Sequence, residues 1–188
     1  GEVFLATDTG VLTLSPDGKR FQQLPTLPKE RVFALAFDGP NLLWLQSQAG
    51  LFAFKRQGEH WQQTAQIGSS QGVPALGAAG LDVDSKHRVW MSTTRGLFRW
   101  DPARRMFRRH GMQDGDASEE YQDRALAMSK QGVLALAAAD GSLLLVDTSA
   151  QDPKPARPVL RLDRVSVRRD GRWQEQALVK RLEFAYQD

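Results

Sequence analysis

The chain has 188 residues, 41% hydrophobic and 25% charged, a balance that fits one large or two small globular domains and excludes a disordered chain. Its 25 basic and 22 acidic side chains leave a net charge of +3, unevenly spread: residues 1–85 carry 6 basic and 8 acidic groups, residues 86–188 carry 19 and 14. Cysteine is absent, which rules out disulfides, thiolate metal sites and cysteine nucleophiles. No apolar run reaches membrane-spanning length, because residues 133–146 are broken by Asp140, Gly141 and Ser142. The first residue is Gly1 rather than Met, and no signal peptide precedes it, so the chain is expected to be a piece of something longer.

Four stretches in chain order share one pattern: residues 2–24, 41–64, 87–110 and 132–147. Each is an apolar alternating run, a short polar turn closed by glycine, a second apolar run and another polar turn. The turn glycines Gly10, Gly50, Gly96 and Gly141 are spaced 40, 46 and 45 residues apart. Leu43 and Leu45, like Val89 and Met91, alternate with neighbours that point to the other face of a strand. The glycine supplies the positive φ of a tight hairpin, and Leu51, Phe52 and Phe54 begin the returning strand. Pro16-Asp17-Gly18 and Asp101-Pro102 read as the next turn.

A further alternating run precedes each of the last three hairpins, at residues 32–38, 76–84 and 121–129. Three to four antiparallel strands per unit match a β-propeller blade, whose period is about 40–50 residues. The alternative is a set of sandwich hairpins, which would not repeat the same turn chemistry at this spacing. Residues 124–128 tolerate a helix, but Gly132 and the repeat register argue for a strand. The units are expected at 2–31, 32–74, 75–118 and 119–150. Residues 151–158 hold three prolines and read as an extended linker. A strand at 159–167, a hairpin turn at Asp170-Gly171 and an alternating run at 181–186 follow, too few strands to close a sandwich. The first unit lacks a leading strand, so both ends read as truncated.

These residues resemble the two-component regulator propeller repeats of large bacterial membrane sensors. The repeat of that family reads roughly W-x-G-T-x-x-G-L-x-x-[YW]-D/N-P. Residues 89–102, Val-Trp-Met-Ser-Thr-Thr-Arg-Gly-Leu-Phe-Arg-Trp-Asp-Pro, are similar to it, with Met91 and Ser92 where Ile or Val and Gly are common. Residues 43–54 match less well, Gln46 standing where a small residue is expected, and residues 2–14 keep an Ala-Thr-Asp-Thr-Gly core. The fourth unit resembles a closing repeat, with Glu120-Tyr121 as its acidic-aromatic pair. Residues 157–167 resemble the entry to the Ig-like Y-Y-Y domain that follows such propellers.

The resemblance implies an all-β chain: four propeller repeats forming an arc of a larger propeller, of about seven blades in this family, followed by a partial Ig-like sandwich at 159–188. It implies a periplasmic sensing region of an inner-membrane protein, not itself catalytic, whose cytoplasmic output is a histidine kinase or a diguanylate cyclase. Dimerisation is expected, since such sensors signal as dimers and an open arc exposes strand edges.

Chemistry-bearing residues are sparse. His60, His87 and His110 lie in turns or at strand ends, without the spacing of a metal pair, and no metal or cofactor is expected. Asp82/Asp84 and Glu119/Glu120 are carboxylate pairs, read as acceptors for turn amides rather than as an acid–base couple. Residues 15–21 fail the spacing of a sialidase-type Asp-box, and no phosphate-cradling glycine loop is present. Eight basic residues against Asp101 alone, between Lys86 and Arg109, suit a charged outer strand better than a nucleic-acid surface. Trp44 and Trp90 share a repeat position and are expected to pack between units, while Trp61 and Trp100 are the candidates for sugar stacking. The hairpin turns Asp8-Thr9, Gln48-Ala49, Thr94-Arg95 and Ala139-Asp140 recur once per unit. They read either as ordinary hairpin turns or as a ring of Asp8, Gln48, Arg95 and Asp140 over a central channel, which would suit a small polar or anionic molecule or a glycan. The other readings are a scaffold for protein partners and a carbohydrate-active propeller enzyme.

Overall fold

The computed structural model describes residues 2–74, 77–78, 80–116, 118–152, 163–169 and 171–176. The chain divides into two units, Gly1–Ala150 and Gln151–Asp188.

The first unit holds four antiparallel sheets in chain order. The first contains β1 (Phe4–Thr7), β2 (Gly10–Leu14) and β3 (Phe21–Gln23). The second contains β4 (Val32–Phe37), β5 (Leu42–Ser47), β6 (Gly50–Gln57) and β7 (His60–Ile67). The third contains β8 (Gly80–Val83), β9 (Val89–Thr93), β10 (Gly96–Asp101) and β11 (Met106–His110). The fourth contains β12 (Tyr121–Met128), β13 (Val133–Ala138) and β14 (Leu143–Asp147). In every sheet each strand pairs with the next, so each repeat is one meander. Residues 124–128 are strand, as the register requires. Two short 3-10 turns, Ser69–Gln71 and Met112–Asp114, are the helical elements among the described residues.

Hydroxyl side chains close the repeated hairpins. Thr7 Oγ1 donates to the Gly10 carbonyl at 2.7 Å and Thr93 Oγ1 to the Gly96 carbonyl at 3.0 Å. Ser47 Oγ accepts the Ala49 amide at 3.1 Å, as Thr93 Oγ1 accepts that of Arg95 at 3.0 Å. The fourth hairpin has Ala138 at this place and relies instead on Asp140, whose carboxylate takes the Ser142 amide at 2.9 Å and its hydroxyl at 2.6 Å. The glycine is dictated by space as well as by φ. A Cβ on Gly50 would lie 2.3 Å from the Ile67 carbonyl of β7, and one on Gly10 would lie 2.5 Å from that of Pro28.

Three apolar clusters lie between successive sheets. Leu43, Leu45, Phe52 and Phe54 pack with Val11 and Leu27 of the first repeat. Trp44 and Ala53, on the opposite face, pack with Val89, Met91 and Trp100 of the third sheet. Trp90 and Leu97 in turn pack with Leu134 and Leu136 of the fourth. A middle sheet therefore buries both faces, which is why β5 and β9 are buried at nearly every position rather than at alternate ones.

The first strands of the last three repeats are neighbours: β8 lies against β4 on one side and β12 on the other, and β1 lies against β4. The strand expected from the 76–84 run is shorter, Gly80–Val83, and Leu76 lies outside the described residues. Gly80 lets it fit, since a Cβ there would stand 2.6 Å from Leu126 Cβ of β12.

The second unit shows one hairpin, β15 (Val165–Arg169) and β16 (Arg172–Gln176), turning at Gly171 with φ 75°. Val167 is buried, and Trp173 is exposed. Most of the expected linker, the strand start at 159–162 and the run at 181–186 lie outside the described residues.

Candidate ligand-binding cleft

The inner strands β4, β8 and β12, together with β1, wall a cleft of about 820 Å³. Its charged groups are Asp8 from the turn after β1, Arg31 immediately before β4, and Asp123 and Arg124 from β12. Arg31 Nε lies 3.0 Å from Asp8 Oδ1, and its guanidinium stands 5.1 Å over the Phe33 ring. Both partners are exposed, so the pair is worth about 1 kcal/mol or less and a ligand anion can compete for the guanidinium.

Arg124 reaches the cleft through a backbone irregularity. The β12–β13 register passes from Tyr121↔Ala138 to Leu126↔Leu136, so extra residues bulge out of β12. Within that bulge Arg124 takes a left-handed conformation, φ 59°, which is uncommon for a residue with a side chain. The start of the bulge is pinned by Tyr121, whose buried hydroxyl bonds to the Asp116 carboxylate and lies 3.1 Å from the Ser118 carbonyl. Burial, reinforced by that carboxylate, pushes the phenol well above its ordinary range, so it stays a neutral donor.

The cleft thus offers two guanidinium groups, two carboxylates and an aromatic face. Such a surface holds a ligand by complementary charge and stacking. Among the described lining residues there is no histidine, lysine or serine, and the Thr7 hydroxyl is committed to the Gly10 carbonyl.

Asp8 is the member of the expected ring that lines this cleft. Arg95 lines a different cavity of about 480 Å³, with Phe98, Arg109, Glu119 and Glu120. Gln48 and Asp140 sit at exposed turn tips and line neither space. Hydrogen bonding from the Ser142 hydroxyl, and then from its amide, holds the Asp140 carboxyl below its ordinary range. Arg31, Asp123 and Arg124 were not singled out by sequence. Each lies in or beside the first strand of its repeat, but the bulge that carries Asp123 and Arg124 has no sequence signal.

The remaining candidates serve the framework. Asp82 accepts the amides of Val83 at 2.8 Å and Met128 at 3.0 Å. Asp84 accepts the amides of Lys86 at 2.9 Å and Arg88 at 3.0 Å, and both Arg88 Nε and Trp90 Nε1 at 2.7 Å. Glu119 pairs with Arg109 at 2.9 Å. Arg104 and Arg108 of the basic stretch face Asp101 and Asp114. His87 Nδ1 is 2.7 Å from Asp38, and His110 lies 5.0 Å from the Trp90 ring. Trp61 and Trp100, the sugar-stacking candidates, are buried. Among the described residues no group of three His, Asp or Glu side chains is arranged to hold a metal ion, and no helix is long and apolar enough to cross a membrane.

No family model and no curated protein matches the sequence. Solved structures do match the fold. One is described as the extracellular domain of the hybrid two component system BT4673 from B. thetaiotaomicron, with TM-score 0.60 and 18% identity, covering 80% of this chain and 20% of that one. A second, the corresponding domain of BT3049 from the same organism, has TM-score 0.58 and 14% identity, covering 79% and 20%. A gluconolactonase from Xanthomonas campestris has TM-score 0.51 and 18% identity, covering 73% and 44%. The chain spans about a fifth of the length of the two sensor domains it matches. At these identities the likeness establishes architecture: an all-β arrangement of successive antiparallel sheets, shared with extracellular domains of two-component sensors and with an enzyme.

Proposed function

We propose that the first unit is an arc of a β-propeller in the extracytoplasmic, periplasmic region of a bacterial membrane-bound sensor, of two-component or diguanylate cyclase type. In this reading the chain is non-catalytic, works as a homodimer and receives a small molecule or glycan in the cleft walled by β1, β4, β8 and β12. Binding would alter the packing of neighbouring sheets, and an Ig-like Y-Y-Y domain beginning near residue 159 would pass the change towards the membrane. The observation that supports it best is the cleft. Polar groups from distant parts of the chain, Asp8, Arg31, Asp123 and Arg124, line one concavity walled by strands of all four sheets, so a ligand there would touch several sheets at once. The likeness in fold to extracellular sensor domains supports the same reading.

The experiment is a thermal-shift screen of the whole chain against neutral oligosaccharides and organic acids, repeated on Arg31→Ala, Arg124→Ala and Arg95→Ala. The cleft reading expects a ligand whose stabilisation falls in the Arg31 and Arg124 variants. The ring of Asp8, Gln48, Arg95 and Asp140 instead expects the loss in the Arg95 variant. A ligand insensitive to all three substitutions overturns both. For the sensor reading, the parent gene should encode a hydrophobic run of about 20 residues beyond Asp188, followed by a kinase or cyclase. Stop codons soon after Asp188, with no membrane helix anywhere in the parent, would promote the scaffold instead.

A further inference from the structure

Each buried interface of the first unit joins the far face of one sheet to the near face of the next. The near face of the second sheet carries Leu43, Leu45, Phe52 and Phe54, which lie seven and five residues before Gly50 and two and four after it. Counted from Gly10 in the same way, the first sheet has Val3, Leu5, Leu12 and Leu14. Leu43 and Leu45 are fully buried, whereas Val3 and Leu5 are 42% and 40% exposed. Phe21, opposite Leu14 in register, is exposed beside them. The first sheet thus presents an apolar near face to solvent.

The fourth sheet presents the other half of such an interface. Its far face carries Leu143 and Leu145, 66% and 61% exposed, opposite Ala137 and Ala135 in register. Leu143 follows its hairpin as Leu51 and Leu97 follow theirs, and those two are buried against the third and fourth sheets. Contiguous apolar side chains left in water at both ends of the unit mark interaction surfaces.

The occupant follows from the three interfaces already formed. What fits a far face in this fold is a near face, and the chain carries one exposed copy of each. A head-to-tail contact of this kind either closes into a ring or runs on as a filament. Propellers close with about four to eight sheets. Two copies of a four-sheet unit fall within that range, and three copies exceed it.

We propose that two copies of this chain associate head to tail, the fourth sheet of each packing on the first sheet of the other, to close one ring. The inference rests on the propeller-arc and homodimer reading above and gives that dimer its interface. The inner strands of both copies then face one channel. The cleft lined by Asp8, Arg31 and Arg124 becomes half of a composite site, completed by the same groups of the second copy.

The test is sedimentation velocity of the whole chain without ligand, over a range of concentrations. The expected species has twice the 21.0 kDa chain mass. Leu5→Arg and Leu145→Arg each put a charge into both contacts of the ring and should weaken the dimer about a hundredfold or more. Both substitutions are at exposed positions, and near-UV circular dichroism checks that the sheets remain packed. Mixing the two variants should restore a dimer, because one unsubstituted near face then meets one unsubstituted far face. A monomeric unsubstituted chain, a ladder of larger species, a dimer that survives either substitution, or a mixture that stays monomeric would each overturn the proposal. Mass is read here without ligand, so such a result would leave binding in the cleft to the thermal-shift screen.

Discussion

In the third sheet the carboxylate of Asp84 is wholly buried and gathers two backbone amides, a guanidinium and an indole. In the second sheet the equivalent carboxylate, Asp38, binds an exposed histidine of the neighbouring turn, and the tryptophan of that repeat is left without an acceptor among the described residues. The meanders are the same, with four strands, a two-residue hairpin and an aromatic wedge against the next sheet. The backbone of the repeat therefore does not prescribe its interior chemistry. Once strand pairing and the apolar wedge are in place, one interface can be sealed by a buried ionic network and the next by small apolar side chains that leave space.

The largest difference between the two interfaces is expected when their aspartates are removed. Asp84→Ala leaves Arg88 buried without its carboxylate and should cost about 3–5 kcal/mol by urea denaturation. Asp38→Ala removes a partner from an exposed histidine and should cost less than about 1 kcal/mol. Equal losses would mean that the two interfaces rely on the same contacts after all.

The hairpin glycines test the outer strands in the same way. Gly50 has φ 137°, and a methyl group added there would stand 2.3 Å from the Ile67 carbonyl of β7. Gly141, in a sheet with no described fourth strand, has φ 86° and open space. Gly50→Ala should cost about 2 kcal/mol or more, Gly141→Ala about 1 kcal/mol, the strain of a positive φ alone. Urea denaturation of the two variants side by side checks the difference.

The smallest effect separates the interfaces by pH. Tyr121 belongs to the cluster between the third and fourth sheets, and its phenol is raised above the ordinary value of 10.0. As pH rises past 10.0 the unfolded chain releases this proton while the folded chain keeps it, so stability falls, by up to ~1.4 kcal/mol per pH unit. The contribution is fully present below the unfolded value. Tyr121→Phe, unfolded in urea at pH 9 and at pH 11, should lose less stability between the two than the unsubstituted chain does.

Much of the architecture was legible from the order of residues. Period-two alternation around Leu43, Leu45, Val89 and Met91, with glycines at near-constant spacing, was enough for strands, hairpins and their repetition. Strand pairing between chain neighbours is local, so local pattern carries it. The site was less legible. Asp8 was found because it sits beside a marked glycine, but Arg31 and Arg124 became neighbours only through packing of strands from different repeats. The bulge that carries Arg124 left no mark, since a left-handed arginine looks like any other arginine in sequence.

Alternation, turn chemistry and repeat length by themselves determined that this chain is all-β, that each repeat is one antiparallel meander, and that Trp44 and Trp90 are wedges between repeats. Only the tertiary structure decided which wedge is satisfied, which arginines reach the inner cleft, and where space is left. Those outcomes depend on groups some 40 to 60 residues apart in the chain, such as the Arg88 guanidinium and the Thr148 carbonyl or the side chains of Asp38 and His87. Whether a buried donor finds its acceptor is settled by the last few ångströms of packing, and those distances are not encoded in any local period.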